Sequence, residues 1–89
     1  MPTEADILSD LIQPEQGNIS PVAAREILSL RFRAETASRI RELLVRNNAG
    51  TITASDRADL DNYLRVGQLI DLLQAKARVS LASAGEQNE

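Results

Sequence analysis

From Ala54 to about Leu81 the chain carries one unbroken helical pattern, and that helix is apolar on too many sides to stand alone. Leu60, Tyr63, Leu64, Val66, Gly67, Leu69, Ile70, Leu72, Leu73, Ala77, Val79 and Leu81 fall on more than one face of it. A helix with one apolar stripe needs one neighbour; a helix apolar over a wider arc must be covered from several directions. A run of about 28 residues is roughly 42 Å long, and the preceding helical pattern, about 15 residues from Ala34 to Asn48, is roughly 22 Å long. Folded back as a hairpin, the shorter helix covers only the first half of the longer one. The second half, VGQLIDLLQAKARVSL, needs another cover. The N-terminal part of the same chain can supply it, or another molecule can.

The N-terminal part predicts two short helices. TEADILSDLIQ has Thr3 as N-cap and Glu4 and Asp6 in the first turn, where the helix dipole favours negative charge. Ile7, Leu8, Leu11 and Ile12 make one apolar face, and Pro14 and Gly17 end the helix. SPVAAREILSL starts again, with Ser20 as N-cap and Pro21 at the first helical position, and is expected to run to about Leu28. Residues 30–32 read as extended, turning the chain into the third helix. Ala37, Ile40, Leu43 and Leu44 form that helix's apolar stripe. The expected architecture is all-α: a small four-helix domain over 1–81, with a helical hairpin of about 34–48 and 54–80, two short N-terminal helices and a long C-terminal one. Residues 82–89 are polar and are expected to form a flexible tail.

Composition removes most chemistry. The chain has 89 residues and neither His nor Cys. That excludes a thiolate site, a cysteine nucleophile and the usual general base. The aromatic residues are Phe32 and Tyr63 alone, so the core is aliphatic. No apolar run approaches the roughly 20 residues of a membrane span, and the acidic start MPTEADILSD does not fit a signal peptide. The expected location is the cytoplasm, without a membrane. The expected class is a non-enzyme without cofactor.

The net charge of −3 is unevenly spread. Glu4, Asp6, Asp10, Glu15 and Glu26 against Arg25 leave −4 over residues 1–26, while five arginines against Glu35 and Glu42 leave +3 over 27–48. Such alternation favours self-complementary packing or a charged protein partner over a polyanion. Arg31, Arg33, Arg39, Arg41 and Arg46 form the alternative, a nucleic-acid-binding surface of a nuclease-associated accessory protein. The net negative charge, the intermixed Glu35 and Glu42 and the lack of stacking aromatics argue against it.

The stretch RNNAGTITASDRADL invites comparison with a calcium loop. Placing Gly50 at loop position 6 puts Val45 and Ala49 at positions 1 and 5, where oxygen ligands are required, and only Asn47, Thr53 and Asp56 remain. No metal is expected there. The same residues explain a turn: Gly50 ends a helix in the left-handed region, Thr53 caps the next, Asp56 follows at capping-box spacing and Ile52 serves as a hydrophobic staple.

LIQPEQGNISPVAAREILSLRF followed by RIRELLVRNNAGTITASDRADLDNYLRVGQLIDLLQAKARVSL resembles a family of small uncharacterised bacterial helical proteins. Its pattern reads "PEEGxLSPxxARxLLSLxF" and then "GTLTxxExxELxxYxxVxxLLxxLQxKARxSL", and the likeness covers roughly residues 8–81. Ser55-Asp56 stand where the family tends to have an acidic pair, and Arg33 stands where it usually has a helix-capping residue. The resemblance implies a compact helical protein, sometimes encoded beside an HNH endonuclease, with no assigned catalytic residues.

The functional expectation is a non-catalytic interaction module or small accessory subunit that binds a partner protein, a nuclease being one candidate, or itself as a homo-oligomer. The surface expected to carry binding is the second half of the long helix: Leu69, Ile70, Leu72, Leu73, Lys76, Val79 and Leu81, with Tyr63 and Arg65 at its edge.

Overall fold

The computed structural model describes residues 1–87. It is all-α: α1 (Glu4–Ile12), α2 (Pro21–Leu28), α3 (Ala34–Ala49) and α4 (Ala54–Gln87). The chain divides into two compact units that share α4. One comprises residues 1–30 with 68–89, the other residues 31–67.

Local signals place the helix starts. Thr3 caps α1 in a complete capping box: its Oγ1 accepts the Asp6 N–H at 3.1 Å and its own N–H donates to Asp6 Oδ2 at 3.0 Å. Ser20 Oγ accepts the Ala23 N–H, and Pro21 occupies the first turn of α2. Arg33 holds the N-cap position of α3 without a side-chain cap, yet the helix still starts at Ala34. Gly50 ends α3 at φ 74°, a conformation glycine adopts without the penalty a Cβ brings. Thr51 N–H then donates to the Arg46 carbonyl at 3.0 Å, which closes the turn.

Unit 2 is the α3–α4 hairpin. Leu43 and Leu60 are fully or almost fully buried in it. Thr36, Ala37, Ile40, Leu44 and Asn47 of α3 and Tyr63 and Gly67 of α4 are partly buried around them. On α4 the positions 56, 60, 63 and 67 make a single stripe of helical spacing, as a two-helix seam requires. Phe32 closes one end, edge-on to Tyr63 with ring centroids 6.3 Å apart. Asn47 Oδ1 is buried there without a hydrogen-bond partner.

Unit 1 is built differently. From Gln68 on, α4 is at least partly covered at Leu69, Ile70, Leu72, Leu73, Gln74, Ala75, Lys76, Ala77, Val79, Ser80 and Leu81, whereas Asp71, Arg78, Ala82 and Gly85 are exposed. The exposed residues follow one another at helical spacing, so most of the remaining circumference is covered. Within this unit α1 and α2 are the elements available to cover it, and Ala24 of α2 is completely buried. The second half of α4 thus finds its cover within its own chain.

The link from α1 to α2 lies directly against α4. A Cβ on Gly17 would stand 2.9 Å from Ser80 N, Val79 C and Val79 Cγ1, so only glycine permits this approach. Gln13 precedes it in the left-handed region at φ 53°, the one non-glycine residue with positive φ among the described residues. At the other end, α4 continues through residues expected to be tail, as far as Gln87. Ala82, Ser83, Ala84, Glu86 and Gln87 are compatible with helix, and the single Gly85 does not interrupt it. The last two residues of the expected tail, Asn88 and Glu89, lie outside the described residues.

Gly17→Ala is expected to destabilise unit 1 by about 1–3 kcal/mol, because two of the three clashing atoms are backbone. Gly50→Ala meets no neighbour and should lose only the left-handed penalty of about 1–2 kcal/mol. Urea denaturation of the two variants checks both values; a neutral Gly17→Ala would show that the close approach is wrong.

Candidate functional site

Three polar side chains of α4 are buried among its apolar residues: Gln74, Lys76 and Ser80, at 9%, 9% and 2% exposure. Each ties a different part of the N-terminal segment to α4. Gln74 Nε2 donates to the carbonyls of Ile27 at 3.2 Å and Leu30 at 3.0 Å, at the end of α2. Lys76 Nζ donates to the carbonyls of Ile12 at 2.9 Å and Gln13 at 3.3 Å, at the end of α1. Ser80 Oγ accepts the Ile19 N–H at 3.3 Å and donates to the Lys76 carbonyl at 2.9 Å. The last carbonyls of a helix have no partner inside it and sit at the negative end of its dipole. A cation and an amide from α4 meet that need for α1 and α2.

Several residues of the surface expected to bind a partner take part in contacts within the chain. Lys76 is committed to α1. Leu69, Ile70, Leu72, Leu73, Val79 and Leu81 are partly buried in unit 1, and Val79 lies against Gly17. Tyr63 is engaged with Phe32. Arg65 is exposed at the surface of α4 and has an interaction of its own.

The arginines of the alternative surface are split in the same way. Arg39 Nη2 donates to Asp56 Oδ1 at 2.9 Å and Arg46 Nη1 to Asp56 Oδ2 at 3.2 Å. Arg46 also pairs with Glu42 one turn back on α3. Arg41 Nη2 donates to Ser38 Oγ. Arg31 and Arg33 are exposed, and Arg31 has an interaction of its own. Asp56 is thus only half of a capping box: its N–H donates to Thr53 Oγ1 at 3.1 Å, while its carboxylate joins the two guanidiniums across the hairpin. That junction belongs to the seam of unit 2.

The large aliphatic side chains that remain open are elsewhere. On α1 the expected apolar face divides: Leu8 and Ile12 are partly buried, whereas Ile7 and Leu11, one turn apart, are 56% and 77% exposed. Val22 on α2 and Leu30 just beyond it are also exposed, as are Val45, Leu64 and Val66 in unit 2. The sequence carried Ile7 and Leu11 as part of the face, and only the path of α1 over α4 shows which half stays open. Among the described residues no group of three or more His, Cys, Asp or Glu is placed to hold a metal ion. No helix among them is long and apolar enough to cross a membrane.

Against protein-family models, curated proteins and solved structures, the chain finds no match.

Lys76→Met keeps the aliphatic stem but removes the donors to α1, and is expected to lower stability by about 1–3 kcal/mol. Hydrogen exchange should place the loss in α1, and an even loss across α3 would contradict the assignment. Asp56→Asn acts on a partly exposed ion pair and should cost no more than about 1 kcal/mol. Repeating the melts at high salt checks the Asp56 pairs, since the deficit should shrink as the charges are screened.

Proposed function

We propose that the chain works in the cytoplasm as a non-catalytic protein-interaction module, an accessory subunit that binds a partner protein or a second copy of itself. The observation that carries this reading is the open half of α1. Ile7 and Leu11 present a pair of large aliphatics on a helix whose other apolar half, Leu8 and Ile12, is seated. A nine-residue helix does not hold itself together in water, so α1 is an element whose geometry depends on what it touches. α1 carries Glu4, Asp6 and Asp10, and no Lys or Arg stands among residues 1–24. A partner surface of aliphatic residues bordered by Lys or Arg fits it in both shape and charge.

This reading moves binding away from the second half of α4, where the face is covered, to the helix that covers it. Composition supports it: with neither His nor Cys, the chain lacks the groups that most often act as nucleophile or general base near neutral pH. The family resemblance adds a nuclease as a candidate for the larger partner.

The test is capture with tagged full-length chain from its native cells, comparing wild type, Leu11→Asp and the exposed-site control Arg78→Gln. A discrete partner should be retained by wild type and by the control, and lost by about tenfold or more with Leu11→Asp, as for a buried anchor. Circular dichroism confirms that the variant is folded. Equal retention by all three chains would overturn the reading, as would no retained protein at all.

A further inference from the structure

The end of α1 is held in a conformation that its own residues disfavour. Gln13 has φ 53° and ψ 67°, in the left-handed region that a Cβ penalises, and it is followed by Pro14. A proline ring pushes the residue before it toward extended backbone, away from helical angles. Neither glycine nor asparagine, the residues that usually end a helix this way, stands there.

What holds Gln13 in place is a small set of hydrogen bonds. Its N–H donates to the Ser9 carbonyl at 2.9 Å, its carbonyl accepts the Gln16 N–H at 2.9 Å, and Lys76 Nζ bridges the Ile12 and Gln13 carbonyls. Just beyond, Gly17 lies on the backbone of α4 at Val79 and Ser80, and the Ile19 N–H is tied to Ser80 Oγ. The chain is therefore anchored from Gly17 onward and strained at Gln13. Between them lies a segment of Pro14, Glu15 and Gln16. On the far side, α1 has no fully buried residue. A strained hinge, a firm anchor behind it and a lightly seated helix ahead of it are the parts of a strap.

Opening the strap lets Gln13 relax to extended backbone and uncovers a specific seat. The seat holds the Lys76 ammonium, whose two carbonyl partners leave with the strap. Its requirements are free carbonyls at a helix C-terminus and aliphatic side chains one turn apart on that helix. The α1 of a second copy meets all of them, since it makes the same contacts by construction, and exchange of identical elements is a low-cost route to a dimer. We propose that α1 is a hinged strap that exchanges between two copies of this chain, each strap seating its last carbonyls on the other copy's Lys76. The inference rests on the self-association arm of the proposed function.

The experiment uses the full chain, wild type and Gln13→Gly, in sedimentation runs at graded concentrations up to millimolar. It adds filtered NOE spectra of a one-to-one mixture of labelled and unlabelled chains. Wild type is expected to show a dimer that grows with concentration, with NOEs between chains linking Ile12 to the α4 seat. Glycine relieves the strain only in the closed monomer, so Gln13→Gly should lower the association constant by about fivefold or more. It suits the observed backbone, so it leaves the fold intact. A chain that stays monomeric throughout overturns the exchange, as does a dimer with α1–α4 NOEs only within chains or one equally strong in Gln13→Gly. Because partner capture through Leu11 is read separately, a failure of the exchange is distinguishable from a failure of the interaction reading.

Discussion

The capping of two helix ends by side chains of a third helix is the constraint on which the N-terminal half of this protein depends. Neither α1 nor α2 is long enough to be stable alone, and each ends in carbonyls that need donors. Lys76 and Gln74 supply those donors from α4, and Ser80 fixes the link between the two helices. Apolar burial alone does not select one position for a short helix on a long aliphatic face, because Leu, Ile and Val side chains present similar surfaces along it. Polar groups buried at fixed points do select, since any other placement leaves a donor or a carbonyl unpaired in the interior. The aliphatic residues supply most of the attraction, and the three polar ones set the register.

The Gly17 contact follows from the same constraint. For Lys76 to reach the end of α1 and Ser80 the start of α2, the link between them must cross α4 close to Val79 and Ser80. A Cβ at residue 17 is incompatible with that path. The strain at Gln13 follows too: the chain has to leave α1 sharply enough to arrive at Gly17, and the left-handed turn at 13 achieves it. One polar register therefore accounts for a missing side chain and for an unfavourable backbone angle.

Much of this architecture is legible in the sequence, because its signals are local. Thr3, Ser20-Pro21 and Thr53 start helices by bonds that reach only three residues ahead, and Gly50 ends α3 through its own backbone. The observed helices accordingly begin and end close to the positions those residues mark. The covering of the second half of α4 was implied by its wide apolar arc, but the identity of the cover was not. The hydrogen bonds that decide it join residues 44 to 64 positions apart. Lys76 shows the difficulty best. Near the end of an apolar helix it reads as a charge complementing that helix's own dipole or facing a partner, yet the dipole it complements is that of α1. The available hint was the recurrence of Gln74, Lys76 and Ser80 within otherwise aliphatic positions, together with a glycine in the preceding link. Asp56 misleads in a similar way, since capping-box spacing says nothing of the two arginines that claim its carboxylate across the hairpin.

The balance of forces also bears on why α1 is the element proposed to carry binding. Unit 2 has leucines fully enclosed between two helices of adequate length, and its ion pairs join neighbours in the hairpin. Among the described residues of unit 1 the fully buried apolar ones are Ala24 and Ala77, and its larger aliphatic side chains are only partly buried, so none is enclosed as Leu43 is. Hydrogen bonds between α1 and α4 join residues 63 and 64 positions apart, so they form against a large chain entropy. Local stability follows such contacts, and the elements that open first are those with few buried side chains and distant partners. By that criterion α1, with no fully buried residue, is expected to open more readily than α3 or α4. It also carries the pair of aliphatics most open to solvent on any one turn. On the proposed reading, a helix without a fully buried residue and with an open aliphatic pair can meet a partner by either route, whether the partner adds to its open face or takes its place on α4.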